Sequence, residues 1–432
     1  TVNASGGLAL TNVAAVGSVY AGIHRFDNIF FRRGGFLVTG DKVVVGDTVR
    51  IDEYGRWTHF DATADFESRL EFVAGTLAVS SNASINADGR GYLGGERPGN
   101  NGTNEGRTEG NAIGATIYAG GSYGGLGGHF GSGVPGPGYG NLTQPAALGS
   151  GGGRGSDDNW PGGDGGGWIR ILAGEIQMDG VLSANGATPS GAQAGSGSGG
   201  TIDIETGALA GDGFIRANGG GFEVGGGGGR VAVRYGSLAL ATSHLEAKGG
   251  AASTMSGGNG TVFLKQASQT NGDLIIDGYG TATPADLCFI PGGCTFDNVT
   301  LRNQAYVTAD NGLTVRGRLG LANTSTLTHS LEHEAGLAIT AQDLEIDAAS
   351  AIDVSGRGYR GGKRDGNDNI QGLALGGQLG AGQYCGGSYG GLGYNAPVHL
   401  VYGSPLNPAY LGGGGGRGSD NNWPGANGGG RV

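Results

Sequence analysis

The chain has 432 residues, 100 of them glycine, and a formal net charge of −11. Its acidity excludes binding nucleic acid through a basic groove, no apolar run reaches the roughly 18 residues of a membrane span, and three cysteines do not make a disulfide framework. Glycine without an every-third-residue rule excludes collagen, and the hydrophobic residues, 37% of the chain, gather in short alternating runs that disordered chains lack.

On the N-terminal side Phe36 to Thr39, Lys42 to Val45, Thr48 to Ile51 and Arg69 to Val73 alternate as strands, and the glycines around them read as loop and turn chemistry. His59, Asp61, Asp65, Glu67 and Arg69 lie together here. Paired carboxylates, or a base beside arginine, are what polysaccharide-cleaving sites need. A solvated strand face is the plainer account.

The stretch of about 90–167 has few apolar pairs and is far longer than an ordinary connection, so it reads as a glycine-rich excursion, functional or packed as an Ω-like loop system. Tyr92, Tyr118, Tyr123, Leu126, Phe130, Tyr139 and Trp160 are its candidates for a small satellite core. Asp157, Asp158 and Asp164 offer oxygen ligands on flexible backbone, which suits calcium, the one cofactor the sequence admits. Asx turns that hold the loop are the competing reading. Tyr123 and Trp160 are aromatic residues on glycine loops, either a sugar-binding platform or pins that fasten the loop, with pinning favoured.

Four alternating strands follow, at Trp168 to Ile171, Thr201 to Ile204, Arg230 to Val233 and Thr261 to Leu264, spaced by 33, 29 and 31 residues. Alternation puts Ile169, Ile171, Ile202, Ile204, Val231 and Val233 on one buried face. Each of the first three periods closes in a third short strand and a turn, as at Ser183 to Gly186, where Asn-Gly supplies the positive φ of a sharp corner. Three short strands in a period of about 30 residues, with no helical periodicity, predict an all-β fold: a parallel β-helix (β-solenoid) with long glycine-rich loop excursions.

The chain then repeats itself. Gly120 to Gly127 returns as Gly386 to Gly393, and Gly153 to Gly162 returns as Gly416 to Gly425. Trp160 and Trp423 are 263 apart, while Phe26 and Phe296 are 270 apart, so the offset drifts as small deletions would make it. The division is 1–265 for copy one and 266–432 for a truncated copy two, whose excursion covers about 357–430. Tyr389 and Trp423 are the second pair of loop aromatics, and Asp420 keeps one carboxylate where Asn421 and Asn427 replace Asp158 and Asp164. His329, Glu332, His333 and Glu334 parallel the N-terminal acidic cluster without matching it residue for residue. Cys288 and Cys294 flank a turn-like segment and are either a local disulfide or two buried thiols. Glycosylation sequons begin at Asn3, Asn82, Asn101, Asn141, Asn259, Asn298 and Asn323.

The glycine phrases, the Ser-Ala-Asn-Gly turn and Gly225 to Val233 resemble very large, glycine-rich, tandem-repeat microbial surface proteins, adhesin-like or fibre-forming parallel β-helix proteins. The resemblance implies an extracellular, cell-surface location and a structural or adhesive role. Neither Thr1 to Leu10 nor Gly428 to Val432 reads as a cap, so the expectation is a filament, stalk or surface fibre built by end-to-end continuation. The expected partners are other copies of the chain and surface polysaccharide, with no nucleic acid and no membrane span. A β-helical polysaccharide lyase or hydrolase, or a carbohydrate-binding adhesin module, is the competing reading; the non-enzymatic one is preferred.

Overall fold

The computed structural model describes residues 2–4, 7–10, 22–280, 288–310, 312–396 and 401–432. The fold is all-β, with parallel sheets and no α-helix among the described residues. Among them no helix is long and apolar enough to cross a membrane. The chain forms two compact units, one of Thr1–Cys288 and Asp297–Ala305, the other of Phe289–Phe296 and Tyr306–Val432. The repeat boundary near 265 falls inside the first.

In the first unit, strands Ile29–Phe31, Thr48–Ile51, Leu70–Val79, Trp168–Met178, Thr201–Ala210, Arg230–Leu238 and Thr261–Gln266 pair in parallel, each with the next. The four strand starts expected from the 30-residue period are register partners: Trp168 pairs with Thr201, Thr201 with Arg230, and Arg230 with Thr261. A second parallel sheet runs through Phe36–Thr39, Arg56–His59, Ser84–Asn86, Val181–Ser183, Phe214–Arg216 and Leu245–Glu246. Isolated parallel bridges join Gly195 to Val224 and Val224 to Met255. The alternating apolar residues meet between the sheets, and Ile169, Ile171, Ile202, Ile204, Val231 and Val233 are at most 1% exposed. Trp57, fully buried, stacks on Phe72 with ring centroids 4.5 Å apart. Its Nε1–H donates to Thr39 Oγ1 at 3.0 Å, so the indole carries no unsatisfied donor into the core.

Two local features differ from expectation. Among the described long strands one reversal interrupts the parallel succession: Asp273–Asp277 pairs antiparallel with Thr261–Gln266, across a turn where Gly272 takes φ +80° and Asp297 accepts the N–H groups of Asn271 and Gly272. The Asn-Gly corners, moreover, do not use positive φ. Asn185, Asn218, Gly186, Gly219 and Gly249 all lie outside the left-handed region. Instead a side-chain ladder holds the corner: Asp88 Oδ1 accepts the Asn185 N–H at 2.6 Å, Asn185 Oδ1 the Asn218 N–H at 2.8 Å, and Asn218 Oδ1 the Lys248 N–H at 2.8 Å.

The second unit repeats the scheme on a smaller scale. Cys294–Phe296, Leu313–Leu321 and Ile339–Ile346 form one parallel set, and Phe289–Ile290, Tyr306–Ala309, Thr326–Thr328 and Ala351–Ile352 another.

Candidate functional site: the glycine bundle

Residues 91–167 are packed by a dense set of backbone hydrogen bonds. Apart from a short antiparallel pair, Arg107–Thr108 with Ala112–Ile113, they fold into segments outside the two large sheets, bonded to one another and to the glycine segments between the later long strands. Gly195 to Gly200 shows the rule. The N–H groups of Gly195 and Ser198 donate to Gly153 and Ser150, those of Ser196 and Gly199 to Val224 and Gly227, and those of Gly197 and Gly200 to Ala187 and Ala184. Donors therefore point in three directions and return every third residue. That is the symmetry of a polyproline II-type helix, which has three residues per turn and no internal hydrogen bonds, so each donor must find a neighbour. Gly162 to Gly167 obeys the same rule, with Gly162 and Gly165 donating to Gly95 and Tyr92, and Gly163 and Gly166 to Gly195 and Ser198.

This packing explains the composition. A methyl group on Gly166 would lie on the Ala184 carbonyl oxygen, one on Gly197 on that of Asp164, and one on Gly125 on that of Gly258, each far inside contact distance. Glycine is needed here for close approach between backbones, and the turn role assigned to it from sequence is a minor one. The Asn-Gly corners belong to the same class, since a Cβ at Gly186 would meet the Gly197 carbonyl.

The aromatic and acidic candidates hold this bundle together. Tyr123 is fully buried; its hydroxyl is 2.6 Å from Thr201 Oγ1, its ring is 4.8 Å from that of Tyr139, and the Arg230 guanidinium lies 5.3 Å over its face. Burial raises the Tyr123 phenol above its ordinary pKa. It is no platform for sugar. Trp160, 37% exposed, packs its Cβ and ring against Gly191. Tyr92, Tyr139 and Leu148 join Ala62 and Trp168 in the satellite core, whereas Tyr118 and Phe130 pair edge to face at 6.0 Å and Phe130 stays exposed.

The carboxylates are engaged by the bundle's own groups, Asp164 in its interior and the others at its surface. Asp164 is buried, accepting Arg97 Nε–H and Nη2–H at 2.9 and 2.7 Å on one oxygen and the Gly94 N–H at 2.8 Å on the other. Asp157 makes an Asx turn with Asn159, whose N–H and side-chain amide lower its pKa, and Asp158 lies 3.3 Å from Arg154. Asp420 repeats the turn with the Asn422 N–H at 2.9 Å. Among the described residues no group of three His, Cys, Asp or Glu side chains is arranged to hold a metal.

The second bundle repeats several of the first bundle's side-chain bonds. Tyr92 donates to Glu67 at 2.7 Å and Tyr359 to Glu334 at 2.8 Å; Asn100 donates to the Gly94 and Glu105 carbonyls, and Asn367 to those of Gly361 and Gln371. Tyr139 and Tyr402 each donate at 2.6 Å, to Leu148 and Leu411. Where Asn427 replaces Asp164 it still accepts a glycine N–H, from Gly361 at 3.1 Å, and Arg364, no longer facing a carboxylate, donates to the Gly425 carbonyl at 2.8 Å. Tyr389 is only half-buried and Trp423 is 66% exposed.

The residues of the N-terminal acidic cluster are engaged by separate partners. His59 is fully buried; its Nδ1–H donates to the Phe60 carbonyl at 2.7 Å, and burial lowers its pKa to about 4. His329 makes the same bond to Ser330, and its Nε2 accepts the Arg431 N–H at 3.1 Å. Asp61 pairs with Arg90 at 2.7 Å, Asp65 is exposed, Glu67 accepts from Tyr92, and Arg69 covers Trp168 at 4.8 Å. Glu332 pairs with Arg360, Glu334 accepts from Tyr359, and the His333 ring lies 6.3 Å from that of His329.

A groove missed from sequence runs along the long-strand sheet. It has a volume of about 510 Å³ and is lined by Gln144, Glu205, Arg234, Tyr235, Lys265 and Gln266, among others. Asp203 sits beneath it, 2.6 Å from Arg234 and 3.7 Å from Arg170; burial raises its pKa against the pull of both arginines. Its residues come from three successive strands and one excursion loop, so no local motif marks it.

Cys288 is buried, its Sγ 3.0 Å from the Asn259 carbonyl oxygen, and Cys294 opens a strand paired with Leu313–Val315. Of the sequons, the side chain of Asn3 lies outside the described residues, Asn82, Asn101, Asn141 and Asn323 are exposed, and Asn298 is half-buried. Asn259 is 6% exposed and accepts the Gly249 N–H, which leaves no room for a glycan. The chain matches no protein-family model, and no curated protein or solved structure is similar to it.

Proposed function

We propose that this chain is a parallel β-helix, a structural building block of an extracellular filament, stalk or surface fibre that grows by end-to-end continuation of its rungs. The observation that carries the reading is the way each rung satisfies the next. Strands and glycine segments alike pass their backbone bonds to neighbours about 30 residues on, an arrangement that extends without a natural limit. Polar side chains in the bundles serve packing, which suits a scaffold better than a catalyst. Adhesion would come from the exposed loop aromatics, with Trp423 the most open of the four singled out.

Sedimentation velocity over a wide concentration range, with electron microscopy of the same samples, tests the reading. Elongated particles whose length grows with concentration are expected. Compact, concentration-independent monomers would sink it.

A second reading rests on the groove over Asp203. Its cationic rim of Arg234, Lys265 and Arg170 suits an acidic oligosaccharide, with Asp203 and Glu205 as the acids beside it. Turnover or binding of acidic polysaccharide that disappears in R234A decides it.

A further inference from the structure

The corner ladder of the first unit changes character at Lys248. Asp88, Asn185 and Asn218 each offer a side-chain oxygen to the N–H of the next residue in the column, whereas the Lys248 side chain has no acceptor to offer. Two residues earlier the register runs Asn86, Ser183, Arg216, Glu246, which sets a carboxylate beside the lysine. Glu246 is 7% exposed, and its two oxygens face different nitrogens. Oε1 accepts from Lys248 Nζ at 3.0 Å, and Oε2 accepts the Asn218 Nδ2–H at 3.1 Å. Arg216 Nε also lies 3.0 Å from Oε2, so this carboxylate meets two cations and a carboxamide. Lys248 Nζ sits 4.8 Å over the ring of Tyr279, which walls it on that side.

We propose that Lys248 and Asn218 join in an intramolecular isopeptide bond, with Glu246 carrying the protons between them. The parts that such an acyl transfer needs are in place. The attacking and departing nitrogens each touch an oxygen of one buried carboxylate, within the reach of proton transfer. The carbonyl under attack, that of the Asn218 side chain, already accepts the Lys248 backbone N–H at 2.8 Å, so a donor faces the oxygen where negative charge develops. The Ala217 and Gly219 N–H groups donate to the Glu246 and Lys248 carbonyls, both at 2.8 Å, and hold the two segments in register around the pair.

In the reaction Glu246 takes a proton from the Lys248 ammonium, and the freed lone pair of Nζ attacks Asn218 Cγ. Glu246 hands that proton to Nδ2 and takes a second one from Nζ. The Cγ–Nδ2 bond breaks, and the departing ammonia carries the second proton away as ammonium. A lysine ammonium and an asparagine carboxamide thus become a secondary amide and free ammonium, with no oxidant and no further reactant. The bond would clamp rungs 30 residues apart in sequence, shortly before the reversal at Asp273–Asp277, and it does not depend on whether the chain assembles.

The test is intact-mass spectrometry of the denatured full chain after incubation at neutral pH. The expected mass is lower than that of the sequence by one molecule of ammonia, and a protease digest should contain a fragment joining the peptides of Asn218 and Lys248. K248R keeps the charge and E246Q the shape of the groups they replace. Both should show the full sequence mass while keeping the circular-dichroism spectrum of the unaltered chain. With K248R in place no link forms, and N218A then removes the ladder bond alone. An unaltered chain at the full sequence mass overturns the proposal, whatever the variants do. So does an ammonia loss that persists in K248R, which would place it in a succinimide at an Asn-Gly pair such as Asn218-Gly219. A joined fragment that persists in E246Q overturns the role given to Glu246.

Discussion

At the level of single residues, the contrast between matched glycines gives the sharpest prediction. G166A forces a methyl group onto the Ala184 carbonyl and should lower stability by about 3 kcal/mol, the upper end of overpacking costs, whereas G429A should leave the melting temperature unchanged. Paired thermal melts of the two variants check this. His59 sets a pH dependence of definite sign. Its folded pKa of about 4 lies below the ordinary 6.5, so above pH 6.5 the ring is neutral in both states and costs nothing. As pH falls from 6.5 through 4 the unfolded chain takes up the proton first, and stability should drop by a few kcal/mol over that window. Denaturant titrations at pH 7, 5.5 and 4 should show the loss, and H59Q should flatten it. Asp164 offers a third contrast. D164A removes both the Arg97 pair and the Gly94 acceptor and should cost about 3 kcal/mol, while D164N keeps the acceptor, as Asn427 does, and should cost less than half of that.

At the level of elements, the long strands were legible because alternation of period two is a direct consequence of one face being buried. The starts at Trp168, Thr201, Arg230 and Thr261 could be read off that pattern, and they pair in register. The reversal at Asp273–Asp277 was not legible, since its alternating apolar residues fit a parallel or an antiparallel neighbour equally well. The glycine segments were read as turns because sequence alone does not distinguish glycine chosen for positive φ from glycine chosen for close approach. Only the neighbouring carbonyls reveal it. The corner ladder belongs to this scale as well: N218A deletes the acceptor for the Lys248 N–H and should lower stability by about 1 kcal/mol, measurable by urea denaturation.

For the molecule as a whole, chelation separates the calcium reading from the packing one. Asp164 is already bonded to Arg97, and Asp157 to its own turn, so treatment with EDTA should leave the melting temperature unchanged. A fall that added calcium restores would revive the metal site. The amino-acid order by itself determined the duplication, the all-β character and the buried face of the long strands, because these follow from local periodicity and from two long phrases recurring in sequence. Tertiary structure alone decided what His59, Tyr123 and Asp164 do. Each has a partner more than 40 residues away or a neighbour set by the packing of several segments, as with Tyr123 on Thr201 and Asp164 on Arg97. It also decided why glycine is so abundant, since the carbonyl that excludes a side chain at Gly166 or Gly197 comes from a distant part of the chain.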